Sequence, residues 1–447
     1  MKRIMISGTK SGCGKTTITC ALLMALVKRG ERVSSFKCGS DYVDPMFHRT
    51  VIGTEAYNLD SYFYDENTLK YLLARNGLDI SVIEGSMGFY DGVMFTERAS
   101  AYEVSQMTDT PVVLVVNAKG IGNSVNALIK GFKEYKKNNI KGVIFNGIGQ
   151  MVYEKIKEQC AALKIKPLGY FPYVESAVIE SRHLGLVAAS EIDGLRYKME
   201  ILAKTAEECL DIDGILELCS EKELKYRPIK TEKLADVRIA VARDKAFCFY
   251  YSNGLELLED MGAKLVYFSP LNDTSLPENT DGLIIGGGYP ELYAEALSLN
   301  TEMRESIREA VENGMPCIAE CGGFMYLHER MGDFTNKEYD GVGLIKGSCR
   351  RMDTLNNFGY MEMTAKKDTL LCKKGEKIRA HEFHYFVSDN NGDAFTADKG
   401  DKAWDCVVAE GNLIAGFPHI YFYANPSFAE NFIKKCGEIH NLNKRGH

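Results

Sequence analysis

A glycine-rich loop between an apolar run and a helical pattern constrains the fold of this 447-residue chain more than any other stretch. The segment Ile6–Thr17 has the sequence ISGTKSGCGKTT, and the apolar run Ile4–Ile6 leads into it. After Lys15 the apolar residues recur at helical spacing, so a strand, a loop and a helix follow in order. The N–H groups of such a loop and the N-terminus of the helix together bind phosphate. The sequence therefore predicts a nucleotide-binding α/β domain.

The loop departs from the usual G-x-x-x-x-G-K-[ST] pattern at its start. Thr9 stands where the first glycine belongs, and Gly8 comes one residue early. The stretch Lys10–Thr16, KSGCGKT, instead resembles the deviant Walker A loop, in which a second lysine precedes the glycines. In either form Lys15 is expected to reach the terminal phosphates, and Thr16 offers a hydroxyl oxygen to Mg²⁺. A nucleotide site of this kind is compatible with many functions.

Composition and charge narrow the class of protein. A net charge of −7 with both signs interspersed argues against a nucleic-acid scaffold. No apolar run approaches the roughly twenty residues of a membrane span, and the N-terminus has no signal-peptide pattern. Thirteen cysteines without a C-x-x-C pair favour buried thiols in a reducing compartment. We therefore expect a cytoplasmic protein of two or three domains.

Carboxylates follow two predicted strands of the N-terminal half. Val33–Phe36 precedes a segment in which Asp41 and Asp44 flank an aromatic residue, and Ile80–Ile83 ends in Glu84. Ligands of open parallel sheets bind beyond the carboxyl ends of the strands. A carboxylate at such a strand end, followed by glycines, can approach a metal–phosphate group. For the aspartates, a helix N-cap with a solvated carboxylate is an equally good interpretation.

Three further strands alternate with helical patterns such as Ile121–Lys136, which predicts a doubly wound parallel α/β domain. These strands are Pro111–Val116, Gly142–Phe145 and Leu168–Phe171. Asn146, at the end of the second of them, is predicted to lie in the nucleotide site. Asp193–Leu218 is predicted as one long helix, and 220–236 as a linker between domains 1–219 and 237–447.

A second α/β unit begins with the strand Val237–Ala242. Its third strand is followed by Gly286–Gly288, and consecutive glycines can bring backbone N–H groups close to a ligand, as an oxyanion hole requires. Its fourth strand, Pro316–Ala319, leads into Cys321 with two glycines behind it. A cysteine on a sharp strand-to-helix turn has the geometry of a nucleophile elbow, and the helix N-terminus favours its thiolate. The sequence therefore predicts a cysteine nucleophile.

A cysteine nucleophile usually needs a base. His381 and His384 lie in the stretch RAHEFHYFV, whose alternation predicts a strand, and His419 lies in GFPHIYF. The residues alone leave all three histidines open.

Taken together, these motifs resemble the cobyrinate a,c-diamide synthases, glutamine-dependent amidotransferases of corrinoid biosynthesis. The resemblance covers nearly the whole chain and rests on seven stretches in the family's order. They are GTKSGCGKTT at 8–17, DYVDPMFH at 41–48, EGSMGFYDG at 84–92, RHLGL at 182–186, GGGYPEL at 286–292, ECGGFMYL at 320–327 and HEFHY at 381–385.

For the N-terminal half, the resemblance implies a P-loop domain similar to dethiobiotin synthetase that binds ATP and a tetrapyrrole. The family pattern carries ATP and Mg²⁺ roles onto residues of the loop and onto the strand end, namely Gly12, Gly14, Lys15, Thr16, Thr17 and Glu84. It carries substrate or Mg²⁺ roles onto Asp41, Tyr42, Asp44 and Asp91. The metal ligands it implies are Thr16, Glu84 and Asp44.

For the C-terminal half, the resemblance implies a class I glutamine amidotransferase α/β domain. Cys321 takes the position of the nucleophile that attacks the glutamine amide, and His419 that of the base. Gly287, Gly288 and Gly322 are the predicted oxyanion donors. Many class I glutaminases have a Glu two residues after the histidine, whereas this chain has Tyr421, so a Cys-His pair is expected.

The implied reaction is ATP-dependent amidation of the a and c carboxylates of cobyrinate with glutamine-derived ammonia, through acyl phosphates. Two alternatives stay open: diamidation of another tetrapyrrole such as nickel-sirohydrochlorin, and a deviant-Walker-A ATPase switch. The expected partners are small molecules, with no nucleic acid or membrane, and a homodimer is one open oligomeric state.

Overall fold

The computed structural model describes residues 1–178 and 189–445 and divides the chain into two compact units, Met1–Ile229 and Lys230–His447. The predicted stretch 220–236 has no helix or strand beyond an isolated bridge between Arg3 and Ser220. Across the described residues, no helix combines the length and apolar composition that crossing a bilayer requires. The motif RHLGL at 182–186 lies outside the described residues.

The described residues of the N-terminal unit form a seven-stranded sheet of order β3-β2-β4-β1-β5-β6-β7. Every neighbouring pair in it is parallel. The strands are β1 Lys2–Gly8, β2 Val33–Cys38, β3 Glu55–Leu59, β4 Ile80–Glu84, β5 Val112–Asn117, β6 Ile140–Asn146 and β7 Lys166–Phe171. The predicted doubly wound parallel domain is thereby confirmed.

The connecting helices follow the apolar periodicity of the chain. They are α1 Lys15–Lys28, α2 Val43–Phe47, α3 Glu66–Asn76, α4 Ala101–Met107, α5 Ser124–Glu134, α6 Gln150–Cys160, α7 Ala189–Cys209 and α8 Ile212–Leu218. One core packs α1, α7 and α8 on a face of the sheet and includes Ile18, Leu22 and Leu202, each at most 1% exposed.

Strand order places the functional loops side by side. From β1 the chain moves to β2 and β3 toward one edge, and from β5 to β6 and β7 toward the other, so the order reverses beside β1. Such a reversal opens a crevice at the carboxyl ends of the strands. In register, Glu84 at the end of β4 pairs with Ile6 on β1 and with Lys37 on β2.

The prediction of one long helix over Asp193–Leu218 is wrong, because the chain breaks between α7 and α8. Leu210 forms a bridge with Gly169, and the N–H of Asp211 donates to Leu168 O at 3.0 Å. The Asp211 carboxylate then accepts from Gly214 N at 2.8 Å and caps α8. An N-cap aspartate ends one helix and starts the next, because its side chain satisfies a free N–H group.

The C-terminal unit has a six-stranded sheet of order β10-β8-β11-β13-β21-β20, parallel except for β20. Its strands are β8 Val237–Ala242, β10 Ala263–Phe268, β11 Gly282–Ile285, β13 Cys317–Glu320, β20 Val408–Glu410 and β21 Leu413–Gly416, and β9 Phe247–Phe249 pairs separately with β12 Gly287–Gly288. The helices are α9 Ser252–Asp260, α10 Ala294–Leu299, α11 Thr301–Glu312, α12 Gly322–Tyr326 and α13 Pro426–Arg445.

A further, mostly antiparallel sheet of this unit was not predicted from the sequence. Its order is β15-β14-β16-β17-β22, with β18 and β19 attached beside β16. The strands are β14 His328–Gly332, β15 Glu338–Asp340, β16 Ile345–Ala365, β17 Lys377–Ser388, β18 Phe395–Asp398, β19 Ala403–Cys406 and β22 His419–Ile420. The predicted strand through RAHEFHYFV is confirmed as part of β17, which pairs with β22 at His381 and His419.

Candidate active sites

The loop between β1 and α1 has the geometry of a phosphate cradle. Gly14 precedes the first turn of α1 with a φ of 97°, which a side chain disfavours. A Cβ on it would also lie 2.1 Å from Asn146 Nδ2. That amide donates to Cys13 O at 2.9 Å, so Asn146 fastens the loop from the neighbouring β6. Thr16 and Thr17 lie in the first turn of α1.

Two of the predicted phosphate-loop residues, Gly12 and Lys15, describe the open space in the loop and its charge. Gly12 has a φ of 70°, and no atom lies within 4 Å of where its Cβ would be, so this part of the loop is open. Lys15 Nζ donates to Lys10 O at 3.1 Å. Burial lowers the pKa of Lys15 from its ordinary value, although nearby carboxylates oppose this. A bound phosphate group would form a charge-assisted hydrogen bond with the Lys15 ammonium group.

Beside the loop lies a buried network of charged groups. Glu84 Oε1 accepts from Thr16 Oγ1 at 2.6 Å and from Lys37 Nζ at 2.7 Å. Lys37 Nζ also lies 2.5 Å from Asp44 Oδ2. Glu84 is fully buried, and the other two charged side chains are at most 9% exposed. The structure therefore brings together Thr16, Glu84 and Asp44, with a lysine between the carboxylates.

Lys37 was missed by the sequence reasoning. It is the second-last residue of β2, before Cys38, and the parallel register with β4 sets it directly beside Glu84. The resemblance implied Mg²⁺ beside Asp44, and the structure also supplies the cation Lys37 there. A lysine near the end of an otherwise uncharged, buried strand was the signal in the sequence that could have found it.

The pKa values of the network follow from burial and pairing. Burial raises the pKa of Glu84 to about 7, although Lys37 opposes the rise. Burial lowers the pKa of Lys37, but the carboxylates Glu84 and Asp44 outweigh it and hold the pKa well above its ordinary value. Asp44 shows the reverse balance: burial raises its pKa, and Lys37 and His48 bring it below the ordinary value. Lys37 therefore stays protonated in this pocket.

The remaining predicted substrate residues border this network. Asp41 Oδ1 accepts from Val43 N at 2.8 Å and from Asp44 N at 3.2 Å, so the capping part of the helix-cap interpretation describes its contacts, whereas the solvated carboxylate of that interpretation does not. Burial and the Asp44 charge raise its pKa to about 6. Tyr42 is buried. Asp91 is exposed, and its carboxylate accepts from Gly88 N at 2.9 Å, which orders the loop after β4.

The oxygen donors beside the phosphate loop are of the kind that Mg²⁺ binds. The described residues contain no group of three or more His, Cys, Asp and Glu side chains that could hold a metal by themselves. Glu84 Oε2, however, is buried without a hydrogen-bond partner, and Thr16 contacts the same carboxylate. Mg²⁺ is commonly bound through one or two side-chain oxygens plus substrate phosphates. These residues fit a metal that arrives with a nucleotide.

In the C-terminal unit, Cys321 occupies a strained turn. Its φ is 47° and its ψ −101°, between β13 and α12. Its N–H donates to Gly416 O at 2.8 Å, and Gly323 N donates to Gly286 O at 3.0 Å, which hold the turn in place. Non-glycine residues in such conformations cluster at active sites. The thiol is buried.

The predicted oxyanion glycines link the cysteine turn to one histidine. A Cβ on Gly322 would lie 3.2 Å from Gly288 N. A Cβ on Gly287 would lie 2.5 Å from Cε1 and 3.3 Å from Nε2 of His419. Only glycines permit this close approach, so Gly287, Gly288 and Gly322 form one surface between Cys321 and His419.

The other two histidines have different surroundings. His384 Nε2 pairs with Glu382 Oε2 at 2.9 Å, and its Nδ1 contacts Phe386 O at 2.7 Å. His381 stacks on His419 with ring centroids 5.0 Å apart. Burial and the His419 charge hold the pKa of His381 well below its ordinary value, so this ring stays neutral. Among the three candidates, His419 alone lies against the oxyanion glycines in the described contacts.

The electrostatics of Cys321 favour a protonated thiol before substrate binds. Burial raises its pKa far above the ordinary value, and the carboxylates of Glu291, Glu382 and Glu320 add to the rise. Burial also raises the pKa of Glu291 to about 7. Attack on an amide therefore requires a base that removes the thiol proton as substrate binds.

Each half of the chain matches a known protein family. Residues 4–186 match the model of the CobQ/CobB/MinD/ParA nucleotide binding domain, and residues 238–427 that of the CobB/CobQ-like glutamine amidotransferase domain. A cobyrinate a,c-diamide synthase of Caldanaerobacter subterraneus subsp. tengcongensis is 40% identical over 97% of this chain and 98% of its own length. The synthases of Priestia megaterium and Thermoplasma volcanium are 38% and 37% identical, each over 97% of both chains.

Proposed function

The chain belongs to the cobyrinate a,c-diamide synthase family, and we propose that it converts the a and c carboxylates of cobyrinate to amides. ATP drives the reaction, and glutamine supplies the nitrogen. The observation that carries the proposal is the presence, in one chain, of a phosphate loop beside a buried Glu84–Lys37–Asp44 network and of a cysteine elbow beside His419. A nucleotide-dependent switch of the deviant Walker A type has no use for the second site.

The synthetase half solves the problem that a carboxylate is a poor electrophile. Transfer of the ATP γ-phosphoryl group to the substrate carboxylate gives an acyl phosphate, from which ammonia displaces phosphate. Lys15 offsets charge on the terminal phosphates, and Lys37 holds the Glu84 and Asp44 carboxylates in position beside the loop. Thr16 and Glu84 would hold Mg²⁺, which neutralises phosphate charge when bound.

The glutaminase half releases ammonia without free ammonium. Cys321 Sγ attacks the amide carbon of glutamine while His419 takes the thiol proton. The N–H groups of Gly287, Gly288 and Gly322 are suited to the negative charge on the tetrahedral oxygen. His419 returns the proton to the leaving nitrogen, the C–N bond breaks, and a thioester remains, which water hydrolyses to glutamate and free thiol.

A substrate panel tests this proposal. The purified chain is given ATP and glutamine with cobyrinate, its cobalt-free form or nickel-sirohydrochlorin, and amide products are counted by mass spectrometry. We expect two amidations of a cobyrinate form, with one ATP and one glutamine consumed for each. Diamidation of nickel-sirohydrochlorin alone would favour the other tetrapyrrole reaction and overturn the proposed substrate. The cytoplasmic location and the homodimer stay predictions.

A further inference from the structure

A carboxylate that directly precedes the nucleophile faces the proposed base. Glu320 is the last residue of β13, and its Oε2 lies 3.4 Å from His419 Nδ1. Its other oxygen, Oε1, accepts from Ile420 N at 3.1 Å. One carboxylate thus contacts both the imidazole of His419 and the backbone of the residue after it. The side chain is 18% exposed, so water screens it only in part.

Strand register explains why this pairing forms. Glu320 pairs with Gly416 across the parallel β13–β21 ladder, and only Phe417 and Pro418 separate Gly416 from His419. The short connection returns the histidine to the end of the strand that carries the glutamate. The contact therefore joins residues 99 positions apart in the sequence that the sheet makes neighbours.

The orientation of the imidazole matches the needs of a general base. Nε2 is the ring nitrogen that lies beside Gly287, on the side of the oxyanion glycines, whereas Nδ1 is the one that faces Glu320. At 3.4 Å the contact is an ion pair and not an aligned hydrogen bond. Catalytic contacts of this kind often tighten only when substrate binds, and a base whose Nδ1–H then donates to a carboxylate keeps Nε2 unprotonated for the nucleophile. The same carboxylate then stabilises the imidazolium that forms when the thiol proton arrives.

Other nearby groups have partners of their own. Tyr421 occupies the position at which many class I glutaminases have a glutamate, and its hydroxyl accepts from Asn253 Nδ2 at 2.9 Å. Glu382 pairs with His384. The neutral ring of His381 stacks on one face of the His419 ring.

We propose that Glu320 is the positioning residue of the glutaminase site and completes a Cys321–His419–Glu320 triad from the residue before the nucleophile. The proposal deepens the proposed function and rests on it. Glu320 does not touch glutamine in this scheme. It fixes the tautomer and angle of His419 and offsets the positive charge that this ring carries between thiol deprotonation and ammonia release.

The test is Glu320→Gln, because an amide oxygen can still accept from Ile420 N–H while the charge is lost. We expect the kcat of glutamine hydrolysis to fall about 10²-fold or more, within the range for positioned acid–base groups. The KM for glutamine and the rate of amidation with added ammonia should stay near those of the wild type. Glu320→Asp, which keeps the charge one methylene shorter, should recover part of the lost kcat.

Asp281→Asn is the matched control. Like Glu320, Asp281 has a carboxylate that accepts from a backbone N–H, of Arg238 at 2.8 Å, and faces a histidine nitrogen, His440 Nδ1 at 3.0 Å. It belongs to the same unit but to a pair without a nucleophile, so its loss should reduce thermal stability and leave glutamine hydrolysis unchanged.

Several outcomes would overturn the role of Glu320. One is a Glu320→Gln enzyme with wild-type kcat; another is equal loss of hydrolysis in Glu320→Gln and Asp281→Asn, which indicates a structural role. If Glu320→Gln fails to fold, the Glu320→Asp enzyme decides, and a loss as deep as that of His419→Ala would count against the charge. Failure of the proposed function looks different: the wild type would hydrolyse glutamine but amidate no tetrapyrrole even with ammonia.

Discussion

Replacing Lys37 with methionine is the sharpest test of the buried network. Lys37→Met keeps much of the side-chain volume but removes the cation between Glu84 and Asp44. Breaking a buried ion pair by removing one partner costs about 3–5 kcal/mol, because the remaining charge is left unpaired. We expect a loss of this size in the free energy of unfolding of the N-terminal unit at pH 7, together with loss of amidation from both glutamine and ammonia.

The stability loss of Lys37→Met is expected to depend on pH. Lys37 lowers the pKa of both Glu84 and Asp44, so each carboxylate pKa rises in the variant. A carboxyl group with a raised pKa in the folded state contributes stability at low pH, and this contribution is lost as the pH rises through the folded-state value. The deficit of Lys37→Met should therefore be small near pH 4 and grow toward pH 8, by about 1.4 kcal/mol for each unit of additional pKa rise.

Hydrogen exchange of peptides from β2 and β4 in the full chain is the appropriate assay. The chain has one tryptophan, Trp404, in the C-terminal unit, so its fluorescence does not report on the network. Lys166→Met is the matched control: Lys166 lies on the same sheet and pairs with Glu217 at 2.7 Å, but its side chain is 34% exposed. Exposed pairs contribute about 0–1 kcal/mol. Equal, pH-independent losses in the two variants would refute the reasoning.

Three other changes separate the two sites. Cys321→Ala should abolish amidation from glutamine and leave amidation from added ammonia; loss of both in a folded protein would contradict the division of roles. Gly14→Ala should raise the KM for ATP at least about tenfold, because of backbone strain and a clash with Asn146. The control Gly120→Ala also has a positive φ but lies in open space, so it should leave the KM unchanged. Equal KM values in the two variants would count against the phosphate cradle. Asp44→Asn should slow turnover by roughly thirty-fold to several-thousand-fold, from about 2–5 kcal/mol for a buried charged contact, and shift the ratio of monoamide to diamide; unchanged kinetics in both steps would remove Asp44 from the site.

Local patterns predicted the phosphate loop, because the order of strand, glycine loop and helix is contained in one short stretch. The same holds for the cysteine elbow. Lys37 and Glu320 were not predicted, because each acquires its partner through the pairing of strands. Lys37 pairs with Glu84 across one sheet, and Glu320 pairs with Gly416, close to His419, across the other. The register between distant strands depends on packing of the whole sheet and leaves no local pattern.

Two of the fold features that sequence reasoning missed depend on contacts between strands, and the strand β3 was missed as well. The break at Asp211 depends on the bridge between Leu210 and Gly169, which competes with continuation of a helix whose apolar periodicity runs on. The antiparallel sheet around β16 and β17 escaped because the ladder contains register shifts, among them one between Arg351 and Asn356, which disturb the period-two pattern.

The positive φ of Cys321 also has a consequence for inheritance. A non-glycine residue in this conformation costs on the order of 1–3 kcal/mol, and the surrounding hydrogen bonds hold it there. Glycine would remove that strain, so Cys321→Gly would recover part of the cost of the buried side chain that it deletes, while losing the proposed nucleophile. In a lineage supplied with abundant ammonia, selection on the proposed nucleophile would relax, and function would no longer offset the strain. Retention of cysteine at position 321 therefore depends on selection for the use of glutamine, because the backbone conformation there favours glycine.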